Sequence, residues 1–340
     1  MAVYVEMGGR CGNQLFHYAC ARYIQLKTND SDLILNYNSI FAQDKKEQGW
    51  YDVLCDFNTV GYEYYGKPGT VLKNETNIPQ KAVVALKAFD IWLNKRKSRE
   101  QRAEKAQRFQ KLLNFFHVYW IREGVTALYP PPPPPPPPRP PPPPPPPAPP
   151  PPPLPPPPPP PKFLVTGVCE SYEIFDEISD LLKEELRPIY EVEARNKKIF
   201  NEISEKNSVC ISVRRGDFFN AENEKTFGVC TIQYYINAVE IMNEKVDAPI
   251  YYVFSDDISW CKKNLRFDGE VEFVPQDMPV YETLRLMYTC KHFIISNSTF
   301  SWWGQYLSRN NNKVVISPSR WNNDGFESRL IDKNWILLDT

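Results

Sequence analysis

Two kinds of segment alternate along this chain, short apolar runs and longer stretches with apolar residues at helical spacing. The runs with the length and composition of buried strands are residues 2–7, 209–213, 250–254 and 292–295. Residues 231–243 and 281–289 have the periodicity of helices. This alternation predicts an α/β fold built from βαβ units with mostly parallel sheets.

A glycine-rich turn follows the first predicted strand. The stretch "GGRCGNQLFHYACARYIQLK", from residue 8, passes from that turn into a helix. The amino end of a helix after a strand and a glycine turn is a common anion site. The pattern is not GxGxxG, so a standard dinucleotide site is not indicated. A turn that simply needs glycine explains the stretch equally well, and both interpretations stay open.

A second predicted helix, in "SYEIFDEISDLLKEELRP", ends before Pro188. Between these helices, residues 130–161 are proline except for Arg139, Ala148 and Leu154. Such a tract forms a stiff polyproline II rod of about 3.1 Å per residue, whereas its aromatic flanks look globular. We expect a loop or a sequence that is not native at this position. The alternative is a docking site for SH3- or WW-type partners.

Composition narrows the possible partners and the compartment. The net charge of −1 gives no basic field for nucleic acid, so none is expected as a partner. Eight scattered cysteines without a CxxC pair indicate reduced core thiols, and three histidines lack zinc-ligand spacing. The amino-terminal residues do not form a signal peptide and no run of apolar residues is long enough for a membrane span, so we expect a cytoplasmic protein.

Residues 82–113 form a basic, helix-like segment. Such a segment is most often a solvated helix face. The alternative is attraction to an anionic membrane surface, which would make the protein peripheral at the inner face of the membrane.

Three polar loops follow three of the predicted strands. They are "VRRGDFF" after 209–213, "FSDDISW" after 250–254 and "ISNSTFSWWG" after 292–295. Because parallel strands place such loops on one edge of the sheet, we expect the three loops to meet there. The adjacent guanidiniums of Arg214 and Arg215 suit a phosphate. An ordinary salt bridge between Arg215 and Asp217 is the alternative.

The other two loops supply groups that complement a phosphate. Ser298, Thr299 and Ser301 open a helix that they could cap, and together with its free N–H groups they could bind phosphate oxygens. Asp256 and Asp257 suit a nucleobase edge or a ribose, and without a third carboxylate at a suitable spacing they make a poor metal site. The three loops together predict a nucleotide-sugar site in which the arginines neutralise the diphosphate as the sugar–phosphate bond breaks.

Tryptophans 302 and 303 follow directly in the third loop. Large aromatic side chains at the start of a helix are more often core than ligand contacts. We therefore expect both indoles to be buried in the core.

Four motifs now occur in the order of a known family. "GGRCGNQLFHYACARYI", "VRRGDFF", "FSDDISW" and "NSTFSWWGQYL" extend from residue 8 to about 307. With them the chain resembles the α-1,2-fucosyltransferases of glycosyltransferase family 11, bacterial branch. The resemblance implies a GT-B-type architecture, in which two Rossmann-like domains with mostly parallel sheets face a central cleft. Residues 1–200, including the tract at 130–161, would form the acceptor-side domain, and residues 201–340 the GDP-fucose-binding domain.

The resemblance also implies a reaction. L-Fucose would move with inversion from GDP-fucose to the 2-hydroxyl of a terminal β-galactoside, on an oligosaccharide or a lipid-linked glycan. GDP-fucose is then a co-substrate, and neither a metal nor another cofactor is expected. We expect a single displacement through an oxocarbenium-like transition state, with a carboxylate favoured as any general base.

The family's site residues carry over position by position. Arg214 and Asp217 are the implied catalytic residues, and Arg215 and Asp217 would also order their loop. The implied donor-binding positions are Gly12, Asn13, Gln14, Ser212, Arg215, Ser255, Asp256, Asp257, Asn297, Ser298, Thr299 and Ser301. One departure concerns the family's usual histidine two positions before the first arginine, which is Ser212 here. This difference affects the expected contact with the base more than the contact with the phosphates.

Two alternatives remain at this stage. Fucosyltransferases of other linkages, α-1,6 or protein O-fucosyl, share the RRxD loop. A non-catalytic adaptor built around the proline tract is the other, although the intact Arg214, Asp217 and Asp257 argue against it.

Overall fold

A computed structural model describes residues 2–28, 32–43, 45–64, 118–122, 162–166, 169–216, 227–323 and 328–340. The proline tract at 130–161 and the basic segment at 82–113 lie outside these residues. The predictions made for both segments therefore stay predictions.

The first sheet of the described chain has five strands in the order β3-β2-β1-β5-β4, and every pairing is parallel. Its strands are β1 Ala2–Glu6, β2 Asp32–Asn36, β3 Glu63–Tyr64, β4 Val118–Arg122 and β5 Lys162–Thr166. Helix α1, Cys11–Lys27, follows β1, and the short helix α2, Asn38–Phe41, follows β2. Val3 and Val5 of the central strand are buried, because neighbouring strands and helix α1 cover them.

The second sheet has six strands in the order β11-β10-β9-β6-β7-β8, again all parallel. Its strands are β6 Ser208–Val213, β7 Ile250–Ser255, β8 Glu270–Phe273, β9 His292–Ile294, β10 Val315–Pro318 and β11 Ile336–Leu338. Its helices, with those leading into it, are α3 Ser179–Glu185, α4 Lys197–Glu205, α5 Ile232–Lys245, α6 Ile258–Asn264, α7 Val280–Thr289 and α8 Thr299–Tyr306. After β6, the next two strands, β7 and β8, are added on one side of it, and β9, β10 and β11 are added on the other. This is the strand order of a Rossmann fold.

The predicted α/β class with parallel sheets is confirmed, as is the GT-B-type pair of Rossmann-like sheets. The helix predicted from residue 171 onward is wrong in its first half. Two 3₁₀ turns, Tyr172–Ile174 and Asp176–Ile178, precede α3. Between these turns Phe175 is fully buried and stacks on Trp303, with 5.9 Å between ring centroids. This packing outside the helix replaces the regular turns that the periodicity indicated.

The two halves of the chain pack directly on each other through α1 and α8. Both tryptophans of α8 are buried, so the prediction that they belong to the core is confirmed. Trp302 Nε1 donates to Leu330 O and Trp303 Nε1 donates to Gly12 O, each at 2.9 Å. Both buried indole N–H groups are therefore satisfied, one of them across the seam between the halves.

Helix α4 continues through residue 200, where the sequence predicted the domain boundary. The boundary between 1–200 and 201–340 stays a prediction. All eight cysteines are described, seven of them are buried, and none is in a disulfide. Burial raises the pKa of the Cys230 thiol to about 12, so this thiol is protonated at neutral pH. Among the helices that the structure describes, none is long and apolar enough to cross a lipid bilayer.

Candidate functional site

The three polar loops meet at the carboxyl edge of the second sheet, as the sequence predicts. Strand β6 lies between β7 and β9, with Val213 paired to Ser255 and Ile211 to Ile294. Strands β7 and β8 lie on one side of β6, and β9, β10 and β11 lie on the other, so the strand order reverses between β6 and β9. In open α/β sheets, ligands bind in the crevice at such a switch point.

The first half of the chain contributes the amino end of α1 to the same edge. Thr299 Oγ1 donates a hydrogen bond of 2.9 Å to Asn13 Oδ1. A Cβ atom at residue 12 would lie 2.5 Å from Thr299 Oγ1 and 2.7 Å from the backbone nitrogen of Phe300. Glycine at this position therefore permits the close approach, and Gly12 and Asn13 lie beside the phosphate-binding candidates.

The carboxylate of Asp256 holds the "RRG" turn. Arg214 Nη1 lies 2.5 Å from Asp256 Oδ2, and the backbone N–H of Arg215 donates to Asp256 Oδ1 at 2.8 Å. A Cβ atom at residue 216 would lie 2.5 Å from Asp256 Oδ2, so Gly216 makes room for this carboxylate. Asp217 lies outside the described residues, so its catalytic role and its alternative salt bridge stay predictions.

Arg215 is held by the loop that follows β7. Its Nε lies 3.6 Å from Asp257 Oδ2, and its guanidinium carbon lies 3.5 Å from the ring centroid of Trp260. Asp257 Oδ1 also accepts from Trp260 N at 3.0 Å, which caps α6. Ser255 supports this turn, because its Oγ accepts from Asp257 N at 2.9 Å. Both aspartates are thus engaged with arginines and backbone, and the described residues contain no group of three His, Cys, Asp or Glu side chains arranged for a metal.

A chain of buried serines lies beneath the edge. Ser212 Oγ and Ser301 Oγ are 2.6 Å apart, and Ser301 Oγ is 3.0 Å from Ser296 Oγ. The expected capping of α8 is not formed at its N-cap residue in the described chain, because the Ser298 side chain makes no such bond. Thr299 instead bonds to Asn13. The reason is packing, since α8 turns Ser301 inward and Thr299 toward α1.

Asn297 and Gln14 brace the loops that border the site. Asn297 Nδ2 donates to Gly228 O at 2.6 Å and to Trp321 O at 2.9 Å. Gln14 is fully buried; its Nε2 donates to Tyr51 O at 2.9 Å and its Oε1 accepts from Val53 N at 3.1 Å. In this structure both amides are committed to backbone, and their donor contacts stay predictions.

Sequence reasoning assigned no role to Trp260 or Ser296. The signal for Trp260 was its spacing from Asp257, because an N-cap residue and the residue three positions later share the first helical turn. Nothing in the sequence pointed Ser296 toward Ser301, since that contact depends on how α8 packs.

A Ser212→Ala substitution tests what this position does. We expect the free energy of unfolding to fall by about 1 kcal/mol, because Ser301 loses one buried hydrogen-bond partner and retains Ser296. We expect the affinity for GDP, the nucleotide of the implied donor, to be unchanged within titration error, because the hydroxyl is buried against Ser301. Urea unfolding and calorimetric titration measure the two quantities. A loss of GDP affinity at unchanged stability would favour the donor contact that the resemblance implies.

The family is established by a comparison with protein-family models. The model of Glycosyl transferase family 11 matches residues 159–339, which is more than half of the chain. The chain therefore belongs to this family, and the resemblance stated above is confirmed. The match covers every strand of the second sheet and both arginines.

The chain spans about half the length of the curated relatives that it matches. An Alpha-1,2-colitosyltransferase of Escherichia coli is 35% identical over 46% of this chain and 54% of the relative. The O-antigen biosynthesis glycosyltransferase WbnK of Escherichia coli is 33% identical over 39% of this chain and 45% of the relative. A Galactoside 2-alpha-L-fucosyltransferase of Caenorhabditis elegans is 26% identical over 51% of each chain.

Among solved structures, fucosyltransferase NodZ from Bradyrhizobium aligns with 90% of this chain and 93% of its own, at 12% identity and a TM-score of 0.46. The E. coli ADP-heptose lps heptosyltransferase II aligns with 99% of this chain and 90% of its own, at 9% identity and a TM-score of 0.40. The fold of this chain is defined by its own two sheets.

Proposed function

We propose that this chain is a glycosyltransferase that transfers L-fucose from GDP-fucose, with inversion, to the 2-hydroxyl of a terminal β-galactoside. The observation that carries the proposal is the pair of arginines at the switch point of the second sheet, at the same edge where α8 meets the amino end of α1. Family membership supports sugar transfer. The names of the relatives, α-1,2 for the colitosyltransferase and galactoside for the worm enzyme, support the linkage and the acceptor.

The site suits a diphosphate leaving group. Negative charge grows on the diphosphate as the bond to the sugar breaks, and preorganised cationic donors stabilise it most effectively. Asp256 holds Arg214 in place before the donor arrives, and Asp257 with Trp260 holds Arg215. The two guanidiniums therefore need little reorganisation when the donor binds. No described carboxylate is assigned as the base, because the acceptor hydroxyl needs little activation when the leaving group carries most of the charge.

Donor binding should not require a metal. We expect GDP to bind the purified chain with micromolar affinity, and the affinity to be the same with and without a chelator, because the arginines supply the positive charge that a metal would otherwise provide. Calorimetric titration with GDP, with EDTA and with added Mg²⁺, measures this. Binding that disappears with EDTA and returns with Mg²⁺ would contradict the proposal.

The acceptor and location are further parts of the proposal. A galactose-terminated oligosaccharide or a lipid-linked glycan would supply the hydroxyl, in a cytoplasmic protein that can lie peripherally at the inner membrane face. The linkage is determined by NMR of the product after reaction with a β-galactoside. An α-1,6 bond to the galactoside would favour the first alternative linkage. Fucose transfer to a protein acceptor, with none to the galactoside, would favour the O-fucosyl type.

A second candidate activity is colitosyl transfer, which the 35% identical relative favours. Colitose is L-fucose without its 3-hydroxyl, so the two donors share the GDP portion that the arginines would hold. GDP-fucose and GDP-colitose compared at one acceptor discriminate the two activities. We expect the higher kcat/KM with GDP-fucose, and the reverse order would select the second candidate.

A further inference from the structure

We propose that Trp260 is a positioning residue for donor binding, which acts through Arg215. The inference rests on the proposed function and goes beyond it. It gives the tryptophan of "FSDDISW" the role of holding an arginine of the "VRRGDFF" loop. Trp260 would not touch the donor itself. It would hold the guanidinium of Arg215 in the orientation in which that group meets the diphosphate.

The contact is close and direct. The guanidinium carbon of Arg215 lies 3.5 Å from the centroid of the Trp260 ring, which is van der Waals stacking distance. The side chain of Arg215 is 19% exposed, so water is largely excluded from the stacked face while the group still reaches the edge of the sheet. Cation–π attraction is stronger when the pair is partly removed from water.

The direction of the stacking matters for ligand binding. A guanidinium donates its hydrogen bonds in its own plane, and stacking occupies the perpendicular faces. An aromatic ring against one face therefore fixes the plane and leaves the in-plane directions suited to oxygen acceptors. Asp257 lies on one of these sides as an ion-pair partner, with its Oδ2 3.6 Å from Nε. The phosphate oxygens of the donor would be the hydrogen-bond acceptors.

The backbone that carries the ring is held by the same aspartate. Asp257 Oδ1 accepts from the backbone N–H of Trp260 at 3.0 Å, while Oδ2 faces Arg215. One carboxylate thus sets both the start of helix α6 and the position of the arginine that stacks on it. This geometry couples the "SDDxxW" segment to the "RRGD" segment, although they are about 40 residues apart in sequence.

The experiment compares GDP affinity in four proteins. Trp260→Leu removes the aromatic face, and we expect about a tenfold weaker Kd for GDP. Trp260→Phe retains an aromatic face and should recover most of that loss. Phe267→Leu is the matched control, because Phe267 is also partly buried against the same core cluster but contacts the ring of Tyr251. The Phe267→Leu protein should bind GDP with the Kd of the wild type, even if the melting temperature of the variant is lower.

Two further readouts separate positioning from general packing. In an Arg215→Ala background, Trp260→Leu should have no additional effect on the Kd, because the two residues act as one unit. With turnover, the KM for GDP-fucose should rise in Trp260→Leu while the KM for the acceptor stays the same. A packing defect would move both constants.

The outcomes are distinct. If the wild type binds GDP and Trp260→Leu binds as tightly, or Phe267→Leu is weakened equally, the positioning role is wrong and the proposed function stands. Additive losses in the Arg215→Ala background would also overturn it. A folded wild type that binds no GDP would overturn the proposed function together with this inference.

Discussion

An Arg214→Ala protein is expected to fold normally and to lose almost all sugar transfer. Arg214 is the residue that follows β6, one of the two central strands of the second sheet, and its guanidinium is held by Asp256 at 2.5 Å. Removing one preorganised charge-stabilising donor costs about 3 kcal/mol or more in the transition state, which is about two orders of magnitude in kcat. Steady-state kinetics with GDP-fucose and a β-galactoside measure this loss, and circular dichroism verifies the fold.

Two variants make the result for Arg214 specific. Arg266→Ala removes an exposed arginine from the same half of the chain, whose guanidinium bonds to backbone carbonyls near the end of α6. It should keep wild-type kinetics. Arg214→Lys retains a positive charge without the planar fork and should recover only part of the rate. Wild-type kcat/KM in a folded Arg214→Ala protein would exclude Arg214 from the reaction.

Gly12→Ala is expected to destabilise the protein and to weaken GDP binding. The added methyl group would lie 2.5 Å from Thr299 Oγ1, 2.7 Å from Phe300 N and 2.8 Å from Thr299 C. Two of these atoms are backbone, so rotation of a side chain cannot relieve the overlap. Overpacking of this kind typically costs about 1–3 kcal/mol, which outweighs the gain of about 1 kcal/mol that alanine brings to a helix. Urea unfolding and GDP titration measure the two effects.

The chain offers a matched glycine for comparison. A Cβ atom at residue 61 would have no neighbour within 4 Å, so Gly61→Ala should change the stability little. Equal unfolding free energies for the Gly12→Ala and Gly61→Ala variants would show that the seam between α1 and α8 tolerates separation. The close approach would then not be needed for the site.

Three strands of the second sheet, β6, β7 and β9, and the helices α5 and α7 could be predicted because their signals are local. Strand β6 is buried at all six positions, and the β-branched run at 209–213 indicates this directly. The meeting of the three loops also follows from sequence, because parallel strands connected by helices leave one arrangement for their carboxyl ends. Strands β8, β10 and β11 were missed, because each has only three or four residues and the sequences "EVEF" and "ILL" of β8 and β11 are partly exposed.

The orientation of individual side chains could not be predicted. Asn13 and Thr299 are 286 residues apart and meet only because α1 packs on α8. Ser301 appeared to be a phosphate ligand at a helix start, but it lies inside and bonds to Ser212 and Ser296. Such contacts depend on the final packing of two sheets, which no local periodicity encodes. The stacking of Arg215 on Trp260 has the same origin.

The hydrogen bond from Trp303 to the backbone of Gly12 limits how this enzyme family can be recombined. A chimera that exchanges the first half of the chain would bring a foreign partner surface to α8. The contact between α1 and α8 is preserved only if the "CGN" turn at the start of α1 and the "TFSWW" turn of α8 come from the same parent. In protein engineering, these two helical turns should therefore be exchanged together, although they lie near opposite ends of the sequence.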